Sequence, residues 1–246
     1  MTTLFISDLH LSADRPDITA LFERFLQEEA RHCDALYILG DLFDAWIGDD
    51  DLTAFHRQVI QALSELTAQG VKTYFIAGNR DFLIGQDFAQ LTGITILPEA
   101  HEVELYGVPT LLLHGDTLCT LDTSYLRFRK IIRNPLLLGL LTKLPLRWRR
   151  GIAAKLRRSS KSHQPLTAAQ LQRMDVTEEG VQLALAKHSV QRIIHGHTHR
   201  PNRHIHTHAK LGKVERIVLG DWYEQGSVLV VSDTAVTLQH RPMSQA

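Results

Sequence analysis

The stretch VKTYFIAGNRDF, Val71 to Phe82, joins an apolar run of β type to a glycine, an amide, a guanidinium and a carboxylate. A short run rich in β-branched and aromatic residues reads as a buried strand. Glycine at its end lets the backbone approach another group closely. Asn79 offers an oxygen donor to a metal, and Arg80 beside it is a permanent cation.

The arrangement recurs in both directions. TLFISD is an apolar strand ending at Asp8, and ALYILG is another followed by Asp41. Between strands, helical spacing runs from Asp17 to Cys33 (Ile18, Leu21, Phe22, Phe25, Leu26), and from Leu52 to Gln69, with Gly70 as stop signal. Apolar strands alternating with helices predict βαβ units covered on both faces. After Thr92 the rhythm changes: ITIL, HEVELY and TLLLHG read as strands with no helix between them. Thr123 to Lys187 reads as largely helical, broken at Pro135, Pro145 and Pro165. QRIIHG, RHIHTH, ERIVLG, SVLVVS and AVTLQH then return to strands. The expected organisation is a mixed α/β core, residues 1–122 and 175–246, interrupted by an insertion at 123–174.

Charge marks that insertion. The chain has 246 residues with 27 Lys and Arg against 27 Asp and Glu. From Thr123 to Met174 there is no acid, while 13 of the basic residues lie there. The rest of the chain is therefore strongly acidic. A segregated basic block points to a phosphate-bearing partner: nucleic acid, an anionic membrane surface or a phosphorylated ligand. Apolar residues make up 44% of the chain and charged residues 22%, an ordinary globular balance. Two cysteines, Cys33 and Cys119, make no disulfide framework. MTTLFISDLH has no basic leader followed by a long apolar run, and no stretch approaches the ~20 apolar residues of a membrane span. The expected location is cytoplasmic.

Polar residues gather at the strand ends: Asp8 with His10, Gly40-Asp41, Gly78-Asn79, His114-Gly115-Asp116 and His195-Gly196-His197-Thr198-His199. The carboxyl ends of strands are where α/β sheets bind ligands. In extended chain, residues two apart point the same way, so Asp8 with His10 and His195 with His197 each present a pair. Carboxylates, an amide and imidazoles without thiolate suit a pair of Mn²⁺, Fe²⁺ or Zn²⁺ ions, with Asp41 able to bridge them. Paired divalent cations are a device for phosphoester hydrolysis. Taken singly, a strand-end Asp is usually a turn residue and a lone His structural; five such motifs in series argue for a site. Asp116 is expected to orient a donor from behind, and His199 ranks below His197. His204, His206 and His208 alternate as the exposed face of an edge strand.

The series D-x-H, GD, GN, HGD and GHTH resembles the calcineurin-like metallophosphoesterase superfamily. Its usual third block carries a histidine after GN; here it reads GNRD. With ISDLHL, YILGDLFDAWIGDD, GNRDFLIG, LLHGDTLC and IHGHTHRP, the chain closely resembles the family that hydrolyses UDP-2,3-diacylglucosamine in the lipid A pathway. That resemblance implies a four-layer αββα sandwich with an inserted helical lid, and two divalent cations, Mn²⁺ in that family. It implies cleavage of a pyrophosphate to 2,3-diacylglucosamine 1-phosphate (lipid X) and UMP, with the protein peripheral on the cytoplasmic side of the inner membrane. It assigns Asp8, His10 and His197 to one ion, Asn79, His114 and His195 to the other, and Asp41 to both. Substrate contacts fall on Asn79, Arg80, Asp122, Ser160 and His195. Gln164 and Thr167 depart from the family's lid pattern.

Arg80 cannot act as an acid, because its pKa lies above ~12. It can clamp phosphate oxygens with a two-pronged fork. The leaving group of a pyrophosphate is a phosphate monoester that needs little protonation, so charge stabilisation replaces acid catalysis. Asn79, Arg80 and His195 are thus the catalytic candidates; the competing reading of Arg80 is an ion pair with Asp81. In the insertion, PLLLGLLTKLPLRWRR (Pro135 to Arg150) sets leucines beside cations, which describes a surface resting on anionic lipid. Phe128, Ile131, Leu137 and Leu141 are candidate walls of an acyl slot, with Tyr125 nearby and Arg157 and Ser160 reaching sugar or phosphate. The alternatives are a binuclear phosphodiesterase acting on another nucleotide or nucleic acid, and a non-catalytic scaffold. Leucine in place of interleaved aromatics weighs against nucleic acid. No protein partner is implied.

Overall fold

The computed structural model describes residues 1–160 and 167–242; of residues 157–160, 168 and 169 only the backbone is described. The first half builds β1 (Thr2–Ile6), α1 (Pro16–Glu28), β2 (Ala35–Ile38), α2 (Ala54–Ala68), β3 (Lys72–Phe75), α3 (Gln86–Thr92) and β4 (Thr95–Ile96). Pro16 opens α1, where its missing N–H costs nothing. Thr53 caps α2 in a reciprocal capping box with His56. β1, β2, β3 and β4 are parallel neighbours, with Ile6 beside Ile38 and Ile38 beside Phe75.

The remaining strands are β5 (Ala100–Leu105), β6 (Val108–Leu113), β7 (Arg192–His195), β8 (Asn202–His208), β9 (Gly212–Val218), β10 (Gln225–Ser232) and β11 (Val236–Pro242). Two of them return to the first sheet, giving the order β11-β10-β1-β2-β3-β4. The second sheet runs β5-β6-β7-β9-β8. Between β6 and β7 lie α4 (Thr123–Ile132), α5 (Pro135–Lys143), α6 (Leu146–Ser160), α7 (Ala168–Arg173) and α8 (Glu178–Lys187). Pro135 starts α5 and Pro145 precedes α6, so both prolines separate helices as expected. Pro165 lies outside the described residues.

Strand alternation divides the core. Leu4 and Ile6 face α1 and α2, while Phe5, between them, joins Tyr37, Leu112, Ile194 and Ile217 where the sheets meet. Beyond the second sheet, Leu111, Leu113 and Ile193 pack on Val181 and Leu185 of α8. The result is helix, sheet, sheet, helix: the four-layer α/β sandwich expected from the sequence. The helix α3 has no counterpart in the sequence reading. At seven residues it is too short to show periodicity, and it stops at the left-handed Gly93. No helix among the described residues is long and apolar enough to cross a membrane.

Candidate metal centre

β1, β2 and β3 end together, and their loops continue the pairing beyond the strands. Asp8 N donates to Gly40 O at 3.0 Å, His10 N to Asp41 O at 2.9 Å and Leu11 N to Leu42 O at 2.9 Å. This ladder sets Asp8 and His10 against Asp41. All three adopt left-handed backbone, with φ of 56°, 48° and 53°; His197 (71°) and His199 (54°) do the same across the site. Such a conformation costs roughly 1–2 kcal/mol per non-glycine residue and clusters at functional sites.

The donor atoms converge. Asp41 Oδ2 lies 3.8 Å from His10 Nε2 and 3.8 Å from His114 Nε2. Asn79 Oδ1 lies 2.9 Å from His114 Nε2 and 3.1 Å from His197 Nδ1, and those two nitrogens are 3.2 Å apart. On the opposite flank His199 Nε2 stands 3.3 Å from Asp8 Oδ1 and 3.4 Å from His10 Nε2. Two sets of three donors, Asp8-Asp41-His114 and Asp8-His10-His199, each fall within 4.8 Å and share Asp8.

These residues fit divalent cations. Asp8 Oδ1 is buried without a hydrogen bond, with only the His199 ring at 3.3 Å beside it, a cost that a bound cation would offset. His114 donates its Nδ1–H to Leu39 O at 2.9 Å, which leaves Nε2 as an acceptor facing the acceptor oxygen of Asn79. Burial pushes the His114 pKa down, but Asp41, Asp8 and Asp116 outweigh it and raise it. The same field attracts a metal ion.

Asp81, taken in the sequence as Arg80's competing partner, turns inward instead. Its Oδ1 accepts from Gly78 N at 2.8 Å and Asp41 N at 3.3 Å, and its Oδ2 from Leu42 N at 2.7 Å. Burial first, and then the charge of Asp41, pushes its carboxyl up to about 7. Arg80 faces the other way: its backbone N–H donates to Asp41 Oδ1 at 2.9 Å, and its side chain lines a cavity. Gly78 is required here, since a Cβ would overlap the Asp41 carboxylate. Sequence alone offered one signal for Asp81: in extended chain it must point opposite to Arg80.

His195 is corrected. It ends β7, on the same face as Ile193, and its Nε2 accepts from Arg216 Nη1 at 3.0 Å while Nδ1–H donates to Gly196 O at 2.8 Å. Both ring nitrogens are engaged away from the donor cluster. His199, ranked lower in the sequence, is brought in. The two-residue rule failed because the chain leaves the strand at Gly196 and turns left-handed at His197 and His199. The pair facing the cluster therefore begins one glycine later.

Asp116, expected to orient a donor, accepts instead from Tyr125 Oη and Arg129 Nε, each at 2.6 Å. A cavity of about 370 Å³ opens from Asn79, Arg80 and His197 into the insertion. Phe128 and Leu141 line it; Ile131 and Leu137 do not, and Ile132 takes that place. The lining face of α4 runs Tyr125, Phe128, Ile132, so Ile131 falls out of phase and is exposed. Trp46, Phe82, Ile152 and Leu156 complete walls that the sequence did not single out. Asp122 also lines the cavity, and its Oδ1 caps α4 by accepting from Tyr125 N at 3.0 Å. The Arg157 and Ser160 side chains, and Gln164, lie outside the described residues. Thr167 caps α7 in a capping box with Gln170. Arg149 docks the insertion on the core through Ile47 O at 2.7 Å and both oxygens of Asp50. His204, His206 and His208 are corrected too: they form the half-buried face of edge strand β8, and Arg203, Ile205 and Thr207 are the exposed ones.

The model of the calcineurin-like phosphoesterases matches residues 1–201, and the chain belongs to that family. Among curated proteins it is 50% identical over 242 residues to the UDP-2,3-diacylglucosamine hydrolase of Serratia proteamaculans, covering 98% of this chain and 100% of that one. The protein of that name from Photobacterium profundum is 51% identical over 246 residues, covering 100% and 99%. The one from Pseudomonas paraeruginosa is 49% identical over 231 residues, covering 94% and 95%. Within the larger family, the chain's relatives are thus the UDP-2,3-diacylglucosamine hydrolases.

Proposed function

We propose that this chain hydrolyses the pyrophosphate bond of UDP-2,3-diacylglucosamine, releasing UMP and 2,3-diacylglucosamine 1-phosphate for lipid A synthesis. The observation that carries the reading is a cavity of about 370 Å³ with largely apolar walls whose lining includes Asn79, Arg80 and His197. Its remaining walls include Trp46, Phe82, Phe128, Leu141, Ile152 and Leu156, the lining an acyl chain requires. Residues 123–174 act as the lid over that slot, and 1–122 with 175–246 as the catalytic core.

The residues that would hold two divalent cations, Mn²⁺ by resemblance, are Asp8, His10, Asp41, Asn79, His114, His197 and His199, with Asp41 between the two groups. A divalent pair supplies a more acidic attacking water and charge stabilisation at phosphorus. The protein's own part is to place the phosphates. Arg80 lines the cavity and holds phosphate oxygens by its fork, which favours departure of a phosphate leaving group without a proton donor. Asp81 fixes the Asp41 backbone from below, and Leu39 O fixes the His114 tautomer. Asp122 and Tyr125 line the same cavity, which supports them as contacts for the sugar.

The lid also suits a membrane surface. Leu136 and Leu140 of α5 are 86% and 60% exposed, on an insertion that carries 13 basic residues and no acid. Apolar side chains among cations are the pattern of an interfacial helix. The reading therefore places the protein peripherally on the cytoplasmic face of the inner membrane. The deciding experiment assays metal-stripped protein with UDP-2,3-diacylglucosamine, with and without Mn²⁺. Release of UMP only on metal addition is expected; no release in either condition overturns the proposal.

A further inference from the structure

We propose that Arg216 is a positioning residue for the metal centre: it fixes the His195 ring and, through it, the Gly196 carbonyl from which the His197–His199 loop departs. This rests on the metal-centre reading above and adds residues that lie outside the donor set.

Arg216 is on β9, paired with Ile193 of β7, so it shares a sheet face with His195 two residues further on. It is 7% exposed, and its Nη1 is 3.0 Å from His195 Nε2. A guanidinium only donates, so Nε2 must be the acceptor and the ring proton must sit on Nδ1. That proton goes to Gly196 O at 2.8 Å. Gly196 O also accepts from Thr198 N at 2.9 Å, and Gly196 N donates to His114 O at 2.8 Å. Gly196 is thus held on both sides. Its position is exacting, because a Cβ there would overlap the Asp8 carboxylate and Ser7. The next residue, His197, donates its backbone N–H to Asp8 Oδ2 at 2.8 Å.

The support continues outward. Arg216 Nε donates to His206 Nε2 at 3.0 Å, which fixes the proton of that ring on Nδ1, and Nδ1 lies 2.7 Å from Glu178 Oε2. A hydrogen-bonded line therefore runs Glu178, His206, Arg216, His195, Gly196, from the first turn of α8 to the loop that carries two donors. Each ring has its tautomer set by the guanidinium between them. Buried polar lines of this kind act as a unit, so removing the central cation loosens both ends.

The test is a double-mutant cycle of Arg216→Met and His195→Ala, with Arg216→Lys as the conservative variant. Three quantities are measured: Mn²⁺ affinity by calorimetry, kcat and KM separately, and the His195 tautomer by ¹⁵N shifts in metal-free protein. Arg216→Met is expected to lower Mn²⁺ affinity or kcat by about 10-fold or more, the usual cost of losing a residue that orients donors, with KM within about twofold. Metal-free wild type should show the Nδ1–H form of His195, and Arg216→Met a mixture. Arg216→Lys should recover part of the loss, and Arg216→Met should add little on a His195→Ala background. If Arg216→Met does not fold, His195→Ala alone must show the loss. Unchanged affinity and kcat in either foldable variant, or fully additive losses, overturn the proposal. Wild type that binds no Mn²⁺ overturns the metal-centre reading and this proposal with it.

Discussion

The Tyr125 hydroxyl donates to Asp116 Oδ2 at 2.6 Å, and so ties the first helix of the insertion to the strand end that carries His114. Tyr125 also lines the cavity, so this bond joins the cavity wall to the loop that follows His114. Tyr125→Phe keeps the ring and removes the donor. Asp116 retains Arg129, so the loss is one hydrogen bond, about 1 kcal/mol of stability. Urea denaturation would read this as a lower midpoint at unchanged slope; an unchanged midpoint would show the bond to be energetically idle.

Asp41→Asn should abolish turnover while the protein remains folded. Asp41 Oδ2 lies 3.8 Å from both His10 Nε2 and His114 Nε2, and an amide there brings neither the charge nor the second strong donor. Circular dichroism together with metal analysis is the check. Near-normal turnover with two bound ions would remove Asp41 from its bridging place.

Arg80→Ala should lower turnover at least 100-fold while metal content stays at the wild-type level, since the side chain acts on phosphate; the magnitude follows that of losing one stabilising donor. Arg80→Lys should recover only part, because a point charge lacks the fork. Loss of metal from Arg80→Ala would instead mark a structural role.

Two surfaces of the insertion should separate by assay. Phe128→Ser with Leu141→Ser should raise KM for the diacylated substrate and spare slow hydrolysis of a small phosphodiester, because each buried CH₂ contributes about 0.8 kcal/mol. Leu136→Ser with Leu140→Ser should weaken sedimentation with anionic vesicles and leave kcat on detergent-dispersed substrate intact. Equal losses on both substrates for the first pair would make the insertion part of the folded core and no slot.

Divalent metal should stabilise the fold by linkage. At about 100 times its dissociation constant, one bound ion adds about 2.7 kcal/mol. Thermal melts with added Mn²⁺ should therefore rise, and Asp41→Asn should lose most of that response.

Much of the fold is legible in the sequence. The strands and their polar ends follow from apolar runs that stop at Asp8, Asp41, Gly78 and His114, and the layered sheet brings those ends together whatever the loops do. Direction inside the loops was not legible. The i, i+2 rule presumes extended backbone, and at His197 and His199 the chain is left-handed, so His195 was chosen where His199 stands. Helical phase was the second blind spot: one residue separates exposed Ile131 from cavity-lining Ile132. The partners of Asp81 are not legible either, because its three acceptor contacts come from backbone of two different loops, which no local pattern records.

Five of the six non-glycine residues described in left-handed backbone, Asp8, His10, Asp41, His197 and His199, lie at the metal centre, with a consequence for how this protein can change. Glycine at any of them would relax the backbone, and Asp8 and Asp41 are in addition like charges buried side by side. Selection for heat tolerance alone would therefore erode the site first, since its residues are the ones the fold would be more stable without. A thermostable version that keeps its chemistry must gain its stability elsewhere: in the α1 and α2 layers, or at the exposed ends of the lid.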